Sequence, residues 1–232
     1  AGLAIFVVAP GAFLLRRPPA VLAGTSGPAV GGASMTVGEA FRTPQFTAIA
    51  LTFMFCCAAH SGPILHMVSY ATICGATGLT ATGMLSTAGL GGLVGRIGLG
   101  LLADRIGARQ ALVAGLILQA VTISLYAAIG DLSWLFVLSA FFGFAYGGVM
   151  PLYAVLIREY FMGTAFGAVT MISSIGMALG PLAGGWLYDN YASYVGMYLG
   201  AGAVGLGAVL IALVFRPPSA AVSVPVAQPA GG

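Results

Sequence analysis

This 232-residue chain is 59% hydrophobic and only 6% charged, with a mean hydropathy of +1.04. A soluble domain carries about 25% charged residues. Eight Arg and five acids cannot give a 23.3 kDa body a water-compatible surface, which excludes an ordinary soluble globule. A net charge of +3 without any basic stripe excludes a nucleic-acid binder.

In chain order, the first apolar segment, Leu3 to Leu15, is too short to span a bilayer and stops at Arg16-Arg17-Pro18-Pro19. It has no basic start and no small-residue cleavage site, so it does not read as a signal peptide. Residues 1–15 read instead as the end of a truncated transmembrane helix. A Pro/Gly/Ser/Ala-rich linker follows over residues 16–45. Six full spans are then predicted: Phe46–Ala71, Ala81–Ala103, Gln110–Ile129, Ser133–Leu156, Thr164–Leu187 and Tyr194–Phe215, a bundle over residues 46–216. Residues 217–232, rich in Pro, Ala, Val and Gly, read as a disordered tail.

Orientation follows from the arginines. Arg16, Arg17 and Arg42 precede the first full span, Arg105 and Arg109 follow the second, Arg158 follows the fourth and Arg216 the sixth. If the spans alternate, all seven fall on one side, predicted to be cytoplasmic together with the linker and the tail. The opposite loops, with Gly75–Thr80, Asp131 and Asp189, hold no Arg. Lys is absent from the chain, a bias that fits a GC-rich genome and a bacterial inner membrane. Cys56, Cys57 and Cys74 are too few and too poorly spaced for a disulfide framework or a zinc site. The 36 glycines fit close packing of membrane helices.

One loop stands out: Gly100-Leu101-Leu102-Ala103-Asp104-Arg105-Ile106-Gly107-Ala108-Arg109. Asp104 can accept bonds from a helix N-terminus, while Arg105 and Arg109 can pair with carboxylates or helix C-termini. Such a cluster would close and open as two bundles rock. The run resembles the signature loop of the major facilitator superfamily, which lies between the second and third helices of each six-helix half. The resemblance implies an all-α, polytopic fold: a six-helix bundle that is half of a twelve-helix transporter, preceded by the end of another helix. Gln110 stands where that family usually has a second basic residue. The truncated helix, long linker and polar tail favour the C-terminal half, so an N-terminal six-helix half is an implied partner. Helix order alone would also allow the first half.

The fifth span carries Gly167, Gly176, Gly180, Pro181, Gly184 and Gly185, a pattern similar to the fifth helix of the drug/proton antiporters of that superfamily. Its plain physical reading is a flat packing face with a bend at Pro181. Thr43-Pro44-Gln45-Phe46 and the Arg96-x3-Gly100-x-Leu102-Ala103 run look most like the oxalate/formate exchanger and monocarboxylate transporter branch. That branch moves small organic anions and carries an Arg in its eighth helix, a position Arg96 matches. Dicarboxylate exchangers also use a Lys in the eleventh helix. The matching span here offers only Thr170, Ser173 and Ser174, so a singly charged substrate is expected.

Arg96 lies eight residues before Asp104, roughly 12 Å along the helix. A guanidinium at that depth costs about 2.5–3.5 kcal/mol to insert and usually faces a cavity or partner. Anion binding and snorkelling to the interface are its two readings. His60, slightly past the middle of the first span, is a candidate for proton coupling or for a helix–helix bond. His66 reads as interfacial, with Pro63 between the two as a kink. Tyr70, Gln119, Tyr146 and Tyr153 are further candidate substrate contacts against a packing role. Arg158 and Glu159 are assigned with the loop cluster to a cytoplasmic gate, against a solvated helix end.

The Gly89-Leu90-Gly91-Gly92 run has neither the strand nor the spacing of a nucleotide loop and is rejected. No Walker loop, catalytic constellation, metal-ligand spacing or cofactor motif is found. The expected function is therefore secondary active transport of a small, monocarboxylate-like organic anion by alternating access, coupled to protons or to a counter-anion. A drug/proton antiporter of the same superfamily and a non-transporting membrane relic are the alternatives.

Overall fold

The computed structural model describes residues 37–161 and 165–214. The Leu3–Leu15 segment, Arg16, Arg17, most of the linker, Thr164, Arg216 and the tail lie outside the described residues. Seven helices occur among the described residues: α1 (Val37–Phe41), α2 (Pro44–Ile73), α3 (Gly78–Ile106), α4 (Ala108–Tyr126), α5 (Leu132–Phe161), α6 (Phe166–Tyr191) and α7 (Val195–Val214). All but α1 are long and apolar enough to cross a membrane. The predicted spans match α2 to α7 to within a few residues at each end. The five-residue α1 was not anticipated and falls inside the stretch read as linker.

Helix boundaries follow from local chemistry. Thr43 caps α2, its hydroxyl accepting from Phe46 N at 3.2 Å, and Pro44 occupies the first turn where no donor is needed. Thr77 accepts from Thr80 N at 3.3 Å to start α3. Gly107, at φ +93°, ends α3 and begins α4, so this sharp turn needs a residue without a Cβ. Asp131 accepts from Ser133 N at 3.0 Å and Trp134 N at 3.2 Å to cap α5.

The packing has an internal repeat. α3 packs most extensively on α5 and α2 on α6; next come α2 on α7, α4 on α7 and α4 on α5. Exchanging the first three spans for the last three converts each of these pairs into its counterpart, as in a bundle built from two inverted three-helix repeats. Pro63 and Pro151 occupy the same position in their 30-residue helices, α2 and α5. In their most apolar stretches α2 and α5 are 61% and 56% buried, whereas α3 and α6 are only 22% and 17% buried. The first pair therefore forms the centre, and the second presents most of its surface outward.

Glycine sets the closeness of both main crossings. On α3, Ala88, Gly92, Gly95 and Leu99 form a buried seam. A Cβ on Gly143 would strike the Ala88 backbone, and one on Gly95 the Phe144 backbone. A Cβ on Gly148 would lie 2.6 Å from Gly95 O. On α6, a Cβ on Gly176 would meet Met54 O, and one on Gly180 would meet Ser61 Oγ and lie 2.6 Å from Ala58 O. A Cβ on Gly184 would lie 2.6 Å from Met197 Sδ. Gly167 and Gly185 face open space. The contact stripe of α6 is thus Gly176, Gly180 and Gly184, spaced by four, and it lies against α2.

Candidate functional site

The centre of the bundle holds a small polar cluster built on α2. Cys56 and His60 are one turn apart and both buried, His60 with 2% exposure. His60 Nδ1 lies 2.8 Å from the carbonyl oxygen of Cys56. Gln119 on α4, fully buried, donates through Nε2 to the same carbonyl at 3.3 Å. Its Oε1 accepts from Cys56 Sγ at 3.6 Å. Tyr146 on α5 stacks on the imidazole, with centroids 5.3 Å apart and planes 25° from parallel. Buried polar groups need such partners to offset lost hydration.

Arg96 belongs to the same layer by the register of α3 against α5. Gly92 and Gly95 meet Gly147 and Gly148, the residues just after Tyr146. Arg96 follows Gly95 directly but points away from the seam: its side chain is exposed, between Leu93 at 58% and Ile97 at 61% exposure. Among the described residues it makes no hydrogen bond and no ion pair. A charged fork on an apolar face, about two-thirds of the way along a spanning helix, therefore stands without a counter-charge among the described residues.

The other candidates separate. Tyr153, fully buried, stacks on Phe53 at 4.1 Å, and its hydroxyl donates to Thr52 O at 3.3 Å, nearer the Arg-bearing end. Tyr70, towards the opposite end, donates to Tyr126 O at 2.8 Å and to Ile129 O at 3.2 Å. It packs in an aromatic cluster with Tyr126, Tyr194 and Tyr198. His66 Nε2 lies 3.2 Å from Pro181 O, linking α2 to α6. In sum, His60, Gln119 and Tyr146 come together, with Arg96 level with them; Tyr153 borders the cluster at the Cys56 thiol, and Tyr70 lies apart.

At the Arg-bearing end, Asp104, Arg105, Arg158 and Glu159 are exposed. Arg109 reaches across to the end of α7, donating from Nε to Ala212 O at 3.2 Å and from Nη2 to Leu213 O at 2.6 Å. A crevice of about 370 Å³ between α2, α6 and α7, lined by residues such as Phe55, Leu179, Ala183 and Val204, contains no charged side chain and lies away from Arg96.

Sequence reading weighed Cys56 only as a disulfide or zinc-site candidate, yet its carbonyl gathers the cluster. The available signal was its four-residue spacing from His60. It also examined Gly91 and Gly92 only as a nucleotide loop. Their spacing with Gly95, matched by Gly143 and Gly147 on α5, is the mark of the α3–α5 crossing.

Six apolar spans, an inverted repeat, glycine-lined crossings and an unpaired mid-span arginine define an integral, multi-pass helical membrane protein of the kind built from pseudo-symmetric bundles. The profile of the Major Facilitator Superfamily matches residues 1–161 and 47–230, and the chain belongs to that superfamily. It is similar to monocarboxylate transporter 13 of Bos taurus, with 29% identity over 208 residues, 87% of this chain and 47% of the relative. It is also similar to monocarboxylate transporter 13 of Rattus norvegicus, with 30% identity over the same coverage. The chain therefore spans about half the length of the curated relatives it matches.

Proposed function

We propose that this bundle is the C-terminal half of a secondary transporter for a small, singly charged organic anion, working by alternating access against an N-terminal six-helix half. The observation that carries the reading is Arg96: a permanent cation about two-thirds of the way along α3, exposed, level with the polar cluster and without a counter-charge among the described residues. A guanidinium presents a fork that matches a carboxylate bidentately and keeps its charge at any pH. The outward faces of α3 and α6 are the surfaces available to the other half. The similarity to monocarboxylate transporter 13 supports the substrate class.

Asp104, Arg105, Arg109, Arg158 and Glu159 form the gate at the end that the positive-inside bias assigns to the cytoplasm. The relatives above are mammalian, so the bacterial inner-membrane assignment rests on the arginine bias alone. A drug/proton antiporter would be expected to carry an embedded carboxylate. Glu39, Asp104, Asp131, Glu159 and Asp189 all lie at or near helix ends, which argues against it.

The test is uptake of labelled pyruvate and lactate by the full-length protein in proteoliposomes, with an inward proton gradient on or off and with a counter-anion preloaded or absent. Saturable uptake in either format is expected. No movement of any monocarboxylate under either condition would overturn the reading and would favour a non-transporting protein.

A further inference from the structure

Helices α6 and α7 are consecutive in the chain yet touch little, whereas their counterparts in the repeat, α3 and α4, pack more closely. The gap between them is the crevice of about 370 Å³, floored by α2. Every side chain on its walls is apolar, and Gly62, Gly176, Gly180, Gly184 and Gly200 contribute none at all. Water would find no side-chain partner there, and empty apolar volume forfeits dispersion contacts. Hydrocarbon is the filling that these walls and the surrounding bilayer allow.

The depth of the crevice selects the occupant. Its inner end, at Met54, Gly176 and Val204, lies near the middle of α2, α6 and α7. Its other end, at Leu187 and Met197, lies near the Arg-free ends of α6 and α7. Gly176 and Leu187 are eleven residues apart, about 16 Å along a helix. One leaflet's share of the hydrocarbon core is about 15 Å. Aromatic rings gather just beyond: Trp186 and Tyr191 are exposed, and Tyr188 stacks on Tyr194 with centroids 4.4 Å apart. Such rings mark the boundary with lipid headgroups. His66 rests against Tyr194 at 5.2 Å, and a Cβ on Gly184 would lie 3.1 Å from its Nε2, so a polar group borders this end. The slot is thus one leaflet long, apolar within and polar at its outer end.

The entrance is compatible with the proposed assembly. Gly176 and Gly185 are nine residues apart, about two and a half turns, which puts them on opposite sides of α6. The side with Ser174 and Gly185 can meet the N-terminal half while the crevice side meets lipid.

The geometry points to a binding site for one acyl chain of a phospholipid, drawn from the leaflet at the Arg-free ends of the helices. The terminal methyl lies near Met54 and Gly176, and the ester end lies beside Leu187, His66 and Tyr194. The chain completes the packing between α6 and α7 that side chains leave undone. The site is separate from Arg96 and does not depend on which solute the protein moves.

The test uses the full-length protein in proteoliposomes containing phosphatidylethanolamine with a photoactivatable diazirine on one acyl chain, placed either near the ester or near the terminal methyl. Labelled residues are mapped by peptide mass spectrometry. Labelling should be enriched on the crevice walls over Leu199 of α7 and Ile117 of α4, which are also exposed. It should follow depth: Leu187 and Met197 with the first probe, Phe55, Leu179 and Val204 with the second. Combining Ala183→Leu with Gly200→Leu narrows the crevice from both walls, and a side chain at Gly200 begins in open space. Loss of the enrichment is expected, and its retention would overturn the proposal. Labelling no denser on the walls than on Leu199 and Ile117 would also overturn it, as for a crevice closed by a protein segment. So would the reverse depth order. Should the double variant fail to fold, the depth series on the unmutated protein decides alone.

Discussion

Arg109, at the start of α4, binds Leu213 at the end of α7, its Nη2 lying 2.6 Å from the Leu213 carbonyl while Nε bonds Ala212 O at 3.2 Å. The last carbonyls of a helix have no partner within it and carry its negative end, so a cation there satisfies both demands. The signature loop, which is only Gly107 long between α3 and α4, is thereby tied to the last spanning helix. Replacing Arg109 with Ala should lower stability by about 1 kcal/mol, less than a buried charged bond because the site is half exposed. Arg109→Lys should recover part of the loss. Thermal unfolding in detergent measures both, and an Arg109→Ala protein as stable as its parent would remove the tie.

The glycine stripe of α6 predicts a sharp contrast between neighbours. A side chain at Gly180 would collide with Ser61 Oγ and the Ala58 carbonyl, both anchored on α2, whereas one at Gly185 meets nothing within 4 Å. Gly180→Val should cost about 3 kcal/mol through overpacking, or prevent folding altogether. Gly185→Ala should be neutral or slightly stabilising, because alanine restricts the unfolded chain and favours the helix. The same contrast holds on the other crossing, where Gly143→Val should fail against Ala88. Yields of monodisperse protein and melting temperatures decide the matter.

The arginine distribution predicts which ends of the helices face the cytoplasm. A single cysteine at Asp104, in a full-length background with Cys56, Cys57 and Cys74 replaced by Ala, should be protected from an impermeant maleimide added outside intact cells. A single cysteine at Asp131 should be labelled. Both native residues are exposed at opposite ends of the bundle, so accessibility follows sidedness. The reverse pattern would invert the topology and move the proposed gate residues to the outer face.

The spans were legible because membrane helices declare themselves by length and apolarity, and because Pro44, Gly107 and Asp131 mark their ends in local chemistry. The α6 face was legible too, since Gly176, Gly180 and Gly184 repeat every four residues. Three-dimensional assembly was the part that could not be read. Nothing near Gln119 announces that it will meet Cys56, 63 residues earlier in the chain, or that the Cys56 carbonyl will also receive His60. The receptor for Arg109 was equally hidden, because a backbone carbonyl 104 residues away carries no side-chain signature. Helix α1 escaped notice because five residues show no periodicity.

Arg96 offers the most direct test of the anion site. If its guanidinium grips the substrate carboxylate, removing it leaves the carboxylate desolvated and unpaired, a loss of about 2 kcal/mol, or roughly thirtyfold in apparent affinity. Lysine keeps the charge but loses the planar fork, so Arg96→Lys should fall between the parent and Arg96→Ala. The alternative role, snorkelling along the apolar face to the interface, predicts a different order: Lys snorkels as well as Arg, so Arg96→Lys would match the parent. Stability should hardly suffer in either substitution, because Arg96 is exposed and bonded to nothing among the described residues. Concentration dependence of pyruvate uptake therefore separates the two roles. A graded loss from Arg through Lys to Ala, at unchanged melting temperature, identifies a carboxylate ligand. An unchanged Arg96→Ala protein would move the anion site elsewhere in the bundle or to the other half.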